Sequence, residues 1–209
     1  MRQSILATSL AACLFAAADE VRADPTESSV SVECCGRVRH GVVAIGGETT
    51  GTTITFKGII WELELPDAAS QEFAKSHDRE SIKVTGKLRR VAGTEVRDRW
   101  IIDVKKLAEF DETKDKEGTR LVIQGTLRSR TARKSDSPEL MIDADDQLWP
   151  IDLSADARLQ SNAESLIGQP VLLTASVEPD AEDKSSDRIF IRVRTLTRPA
   201  KTPAERAKD

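Results

Sequence analysis

Few side chains in this sequence can do acid–base or covalent chemistry. His40 and His77 are its only histidines. A Ser–His–Asp arrangement or a zinc site needs an imidazole beside suitable partners. His40 is matched by Ser129 in the internal repeat described below, and His77 falls near the end of a predicted helix, where an imidazole meets the helix dipole. No catalytic residue, metal site or cofactor is expected from this sparse set, and the chain reads as no enzyme. Asp143, Asp145 and Asp146 hint at calcium but lack the glycine and terminal glutamate of an EF-hand loop, so they read as a solvated hairpin turn. Cys34 and Cys35 are adjacent and cannot staple distant elements. A disulfide between them would be strained and easily reduced. The plainer reading places Cys34 in the core as a small apolar residue and Cys35 outside.

Two other groups could bind rather than react. Gly46-Gly47-Glu48-Thr49-Thr50-Gly51 could cradle an anion through backbone N–H groups. It lacks the Gly-Lys-Ser/Thr ending of a P-loop, and no helix follows it, so it reads first as a connecting loop. The second group is basic. Arg37, Arg39, Lys83, Lys87 and Arg89 alternate with apolar residues on two segments, as do Arg120, Arg128 and Arg130, and Arg192 and Arg194. Clustered on one face they would attract an anionic polymer with salt-dependent affinity. Glu62, Glu64, Glu95 and Asp98 offset them, so an ordinary solvated strand face is the competing reading.

These residues sit in a chain that repeats itself. Gly36 to Leu107 and Gly125 to Leu196 are equal in length and overlay. Gly36-Arg37-Val38-Arg39 matches Gly125-Thr126-Leu127-Arg128, and Trp61-Glu62-Leu63-Glu64-Leu65 matches Trp149-Pro150-Ile151-Asp152-Leu153 after a one-residue slip. Asp98 to Ile102 matches Asp187 to Ile191. So long a period means two small domains rather than a solenoid.

The elements follow from the patterning. Val30, Val32, Cys34, Gly36 and Val38 alternate with polar residues and predict a strand. Thr52–Phe56 and Ile59–Leu65 flank a Lys57-Gly58 turn and predict a hairpin. Asp67 is a fair N-cap for a helix through His77, with Ala69, Phe73 and His77 on one stripe. Ser81–Val91 and the segment of Trp100, Ile102 and Val104 predict two more strands. The second unit has Leu121 to Leu127, then Glu139–Ile142 and Leu148–Leu153 around Asp145-Asp146. A helix is expected over Ala155–Ile167 with Gly168 ending it, then strands over Val171–Val177 and Ile189–Val193. Trp61 and Trp149 alternate with polar residues and should point inward.

Strand, hairpin, helix, strand, strand is the order of an OB-fold. Leu166-Ile167-Gly168-Gln169-Pro170-Val171-Leu172-Leu173-Thr174 and the weaker Ser81 to Leu88 resemble the helix-to-fourth-strand passage of exported bacterial OB-fold proteins. That resemblance implies small binding or stress-related proteins without catalytic residues, and transfers no ligand residue. The expected fold is mainly β: two tandem five-stranded OB-like barrels, each with a short helix between strands 3 and 4. The expected organisation is a signal peptide at 1–23, a first domain at 24–108 and a charged linker at 109–118. A second domain at 119–197 and a disordered tail at 198–209 complete it.

Composition narrows the function. Arg2, the apolar run Ile5–Ala18 and Val21-Arg22-Ala23 read as an export signal, too short to span a bilayer, which implies a periplasmic or secreted protein. Leu10-Ala11-Ala12-Cys13 resembles a lipoprotein box, but few residues precede Cys13 and the apolar run continues past it, so a lipid anchor is disfavoured. The net charge of −4 does not advertise nucleic acid, and aromatic residues make up only 4% of the chain, with no tyrosine. Single-stranded nucleic acid usually needs stacking platforms, so it is set aside here. The expectation is therefore a non-enzymatic exported binding module for an anionic glycan or a protein partner. Its ligand residues would be Arg37, Arg39, Lys83, Lys87, Arg89, Gly46, Gly47 and Thr49. The alternatives are an adaptor with self-associating barrels, and a thiol protein using Cys34 and Cys35.

Overall fold

A computed structural model describes residues 28–43, 50–93, 98–130, 139–179 and 189–200. The expected export signal, Cys13, Gly46, Gly47 and Thr49 lie outside these residues, as do positions 201–209 of the tail. No helix among the described residues is long and apolar enough to cross a membrane.

The first unit runs β1 (Ser29–Val43), β2 (Thr50–Phe56), β3 (Ile59–Glu64), α1 (Ala68–Ser76), β4 (Ser81–Ala92) and β5 (Asp98–Glu109). Its strands pair in the cycle β1–β2–β3–β5–β4–β1, which closes a barrel. Only β3 and β5 run parallel; the other pairs are antiparallel. The second unit runs β6 (Gly118–Arg130), β7 (Glu139–Ala144), β8 (Gln147–Asp152), α2 (Ala157–Leu166), β9 (Pro170–Pro179) and β10 (Ile189–Thr197). It closes the same way, β6–β7–β8–β10–β9–β6, with β8 and β10 parallel. The mainly β fold of two five-stranded barrels, each with a helix between its third and fourth strands, is therefore as the sequence predicts.

Local chemistry explains the elements. Alternation drives the strands: Val30, Val32, Cys34 and Val38 are buried, while Glu33, Arg37 and Arg39 face out. Both hairpins turn through two residues with positive φ, Lys57 (47°) and Gly58 (81°) in one, Asp145 (54°) and Asp146 (58°) in the other. Two such residues match the twist of paired strands. The Asp67 carboxylate accepts the Ser70 N–H at 2.7 Å and starts α1. In α1 Ala74 is buried and Phe73 of the expected stripe packs half-buried against the core, while Ala69, where that stripe begins, is exposed. One residue of helix is about 100° of rotation, so a misplaced stripe is a one-residue error. Helix α2 begins at Ala157, later than expected, because Asp156 takes the cap and accepts the Arg158 and Leu159 N–H groups.

The two barrels share one apolar core. Trp61 and Trp149 are both 0% exposed, as their alternation predicts. Trp100 joins them: its ring stacks on Trp61 at 5.6 Å and meets Trp149 edge-on at 5.5 Å.

Strand pairing continues across the units. One edge of β1 serves two partners in turn, β6 along residues 29–35 and β2 along 37–43. The other edge pairs with β4. Val32 stands opposite Leu121, and the offset that matches Gly36 with Gly125 matches these two as well. The junction therefore has a local two-fold axis at Val32–Leu121. It also hides the half-edge that each barrel would otherwise leave open, a template for unwanted pairing. The hairpin turns follow the same axis. The Lys57 N–H donates to Glu117 at 2.8 Å, and the Asp145 N–H donates to Ser28 at 2.5 Å. Lys57 Nζ pairs with Glu178 at 3.1 Å, and Lys87 Nζ with Asp145 at 2.9 Å. Asp145 thus makes a contact between barrels, while Asp146 beside it stays exposed in the turn, as the sequence predicts. Gln147 adds a reciprocal clasp, accepting from the Arg90 N–H at 3.2 Å and donating to the Arg90 carbonyl at 2.8 Å.

Between β5 and β6 the charged run folds into a turn. The Asp111 carboxylate accepts the Thr113 N–H at 3.0 Å, and Asp115 accepts the Asp111 N–H at 3.0 Å while pairing with Lys83.

Candidate functional site

In OB-folds the outer face of strands 2 and 3 takes oligonucleotides and oligosaccharides. In the first barrel that face extends onto the second half of β1. The register sets out two rows across it. Arg37 faces Thr55, which faces Ile60; Arg39 faces Thr53, which faces Glu62. Arg37 and Arg39 are exposed and lie about 7 Å apart along the strand. Among the described residues neither makes an ion pair. Ile60 is 62% exposed, an apolar side chain left open in the middle of the face. Glu62, two residues along β3, is held by Arg99 through two hydrogen bonds of 2.7 and 2.5 Å. Among the described residues the site thus offers two guanidinium groups with no ion pair, the half-buried Thr55 and an exposed apolar side chain, while Thr53 is buried.

The sequence places Arg37, Arg39, Lys83, Lys87 and Arg89 on one outward face, and the structure separates them. Arg37 stands opposite Ser81 at the start of β4, so Arg39 lies past the end of that pairing. Lys87 stands opposite Ser31, about 20 Å along β1 from Arg37. Lys83, Lys87 and Arg89 of β4 are also engaged. Lys83 pairs with Asp115, and its ammonium is held above the usual lysine range chiefly by that hydrogen bond. Lys87 pairs with Asp145 across the barrel junction. Arg89 lies between Glu64 and Asp103, with the Asp103 hydrogen bond first among the causes that raise its pKa. The recess lined by Glu64, Pro66, Arg89, Asp103 and Val104 therefore holds two carboxylates against one guanidinium. Sequence alternation finds which residues point outward. It does not find which of them already have partners.

The remaining candidates are accounted for locally. His40 bonds Thr52 Oγ1 at 2.9 Å, and His77 stacks on Phe73 at 4.1 Å while bonding its carbonyl. Cys34 and Cys35 are free thiols, both buried. Burial, with Asp115 next, pushes the Cys35 thiol up to about 11, and burial raises Cys34 well above its ordinary value. Asp143 pairs with Arg128 at 3.4 Å. Among the described residues no cluster of three metal-ligating side chains exists.

This architecture is found in solved structures. The wild-type single-stranded DNA binding protein from Thermus aquaticus superposes with a TM-score of 0.51 at 11% identity. The match covers 85% of this chain and 96% of that one, a span that takes in both barrels. The fold is the OB-fold. A deletion mutant of the same Thermus aquaticus protein gives a TM-score of 0.50 at 10% identity, covering 84% of this chain and 97% of that one. No protein-family model matches the sequence, and no curated protein matches it.

These neighbours correct two expectations. Sequence alone points to an anionic glycan or a protein partner, with an adaptor or a thiol protein as alternatives, and sets nucleic acid aside. The solved OB-fold proteins that share this two-barrel architecture bind single-stranded DNA by name. A scarcity of aromatic residues does not exclude a single strand. Stacking adds affinity, but neutralising phosphates supplies the sequence-independent part of binding without any aromatic ring.

Proposed function

We propose that this protein binds single-stranded DNA, without catalysis, on the outward OB face of its barrels. The observation that carries the reading is the row Arg37–Thr55–Ile60 beside Arg39: cations that pair with no carboxylate among the described residues for phosphates, the Thr55 hydroxyl for polar edges, and an exposed apolar side chain for a base. The solved neighbours are binding proteins of this kind, and the chain is likewise read as a binding protein rather than an enzyme. The affinity comes mainly from phosphate contacts, since the three tryptophans are buried in the core.

The test is fluorescence anisotropy with a labelled oligothymidylate of about 30 nucleotides, longer than the ~4–16 nucleotides an OB-fold covers. The full chain should bind it better than a duplex of equal length, and binding should weaken steeply between about 50 and 200 mM salt. Replacing Arg37 and Arg39 with Ala should flatten the salt slope by about 1.4, at roughly 0.7 per lost phosphate contact on a single strand. No measurable binding at the lower salt sinks the reading.

Export remains a separate proposal, supported by the charged start, apolar run and small-residue cleavage box of residues 1–23. N-terminal sequencing of the protein recovered from a bacterial periplasm or medium should find a start near Asp24. An intact Met1 in the cytoplasm is the contrary result.

A further inference from the structure

We infer that the two barrels are functionally unequal: the first carries the strand-binding face, and the matching face of the second is electrostatically closed, so one chain offers one site. This rests on the reading of the chain as a single-stranded DNA binder, and deepens it.

The repeat allows the faces to be compared residue by residue. In the first barrel the row is Arg37, Thr55, Ile60; in the second it is Thr126, Asp143, Leu148. The next row is Arg39, Thr53, Glu62 in the first and Arg128, Met141, Pro150 in the second. One arginine of the pair is gone. The other, Arg128, is spent on Asp143 at 3.4 Å. Arg130 is exposed, but its register partner across the ladder is Glu139. The cause lies in the strand facing the arginines. β2 reads Thr-Gly-Thr-Thr-Ile-Thr-Phe and carries no charge, whereas β7 reads Glu-Leu-Met-Ile-Asp-Ala and sets a carboxylate at each end. Among the described residues of the second face, a phosphate meets Asp143 and Glu139 beside the arginines of β6.

Docking adds to this. The hairpin of β7 and β8 is held against the first barrel. Asp145 pairs with Lys87, Gln147 clasps the Arg90 backbone, and the Leu148 carbonyl accepts from the Arg90 guanidinium at 3.0 Å. The Arg90 guanidinium also lies over the Trp149 ring at 5.6 Å. Leu148, the counterpart of Ile60, is 42% exposed against 62%. The second barrel's hairpin buttresses the first barrel. The turn of the β2–β3 hairpin is held too, by Glu117 and Glu178, but among the described residues no carboxylate pairs with Arg37 in its outer row with Thr55 and Ile60.

The test uses the full chain and a short oligothymidylate, about 8 nucleotides, that fits one OB-fold. Binding stoichiometry is read by titration calorimetry and affinity by anisotropy, with circular dichroism to confirm folding of each variant. One oligonucleotide per wild-type chain is expected. Arg37→Ala with Arg39→Ala should weaken binding about tenfold or more, and Arg128→Ala less than about twofold. Thr126→Arg with Asp143→Thr, which writes the first barrel's row into the second, should raise the stoichiometry to two. Two oligonucleotides per wild-type chain, or an equal loss from Arg128→Ala, overturns the inequality while leaving the DNA-binding reading intact. A wild-type chain that binds no oligonucleotide of either length removes both.

Discussion

Gly36 and Gly125, matched by the repeat, stand where β1 and β6 exchange one barrel's neighbour for the other's, and replacing either with Ala should destabilise the whole molecule. A Cβ at Gly36 would lie 2.5 Å from the Thr55 carbonyl oxygen and 3.1 Å from Phe56 Cβ. At Gly125 it would lie 2.9 Å from Ala144 Cβ and closer still to the Asp143 carbonyl. The obstacles are backbone and Cβ atoms of the paired strand, so no side-chain rotation relieves them. The strand must move, at the cost of the Arg37–Thr55 or Thr126–Asp143 pairing. Overpacking of this kind costs about 1–3 kcal/mol. Stiffening the unfolded chain returns about 0.4–1 kcal/mol where the site tolerates Ala. A net loss of about 2 kcal/mol is expected, which for a folding unit of this size lowers Tm by about 4–8 °C. Gly41 is the control: its φ is +69° but nothing lies within 4 Å of a built Cβ. Its Ala variant carries only left-handed strain, about 1 kcal/mol. Differential scanning calorimetry of the three single variants decides the matter. If Gly36→Ala melts within about 1 °C of wild type, or above Gly41→Ala, the steric argument is wrong.

Three other outcomes follow from the same structure. Lys57→Glu sets a carboxylate against Glu178 and should cost only about 0.5–1 kcal/mol, because the pair is partly exposed; adding Glu178→Lys should restore the loss in a double-mutant cycle read by urea titration. Trp100→Ala empties the space between Trp61 and Trp149, and should cost about 3–5 kcal/mol and abolish most of the near-ultraviolet circular dichroism; a loss under about 1 kcal/mol would separate the two cores. Cys35, ordinarily near 9 and pushed up to about 11, should resist alkylation at pH 8 in the native state and react on unfolding. Its folded pKa is raised, so its contribution to stability is complete below pH 9 and fades as pH rises through 11; a melting temperature flat across that window in wild type, and unchanged by Cys35→Ser, refutes the assignment.

Much of the fold was legible because its determinants are local. Asp67 caps α1 as read, the Lys57-Gly58 and Asp145-Asp146 turns fall where expected, and alternation sends Trp61 and Trp149 inward. The helix stripe failed at Ala69, since a short helix with few apolar residues leaves its rotation to whatever it packs against. The basic face failed differently. Arg37, Arg39, Lys83, Lys87 and Arg89 all point outward, but Lys83 and Lys87 take their partners, Asp115 and Asp145, from the joint and from the other barrel. A charge's availability depends on such distant neighbours, and no spacing rule reports them.

The sequence alone determined the duplication, the strand faces, the hairpins and the five-strand order of each barrel. Alternation and turn chemistry act between residues a few positions apart, and one chain spells them out. The tertiary structure decided the rest: that β1 and β6 join edge to edge about Val32–Leu121, that Lys83 and Lys87 of β4 are tied to distant carboxylates, and that Arg37 and Arg39 meet no carboxylate among the described residues. Period-two patterning tells which way a side chain points, yet says nothing of which strand lies along each backbone edge. Edge pairing is set by the whole assembly, and with it the choice of which charges remain for a ligand.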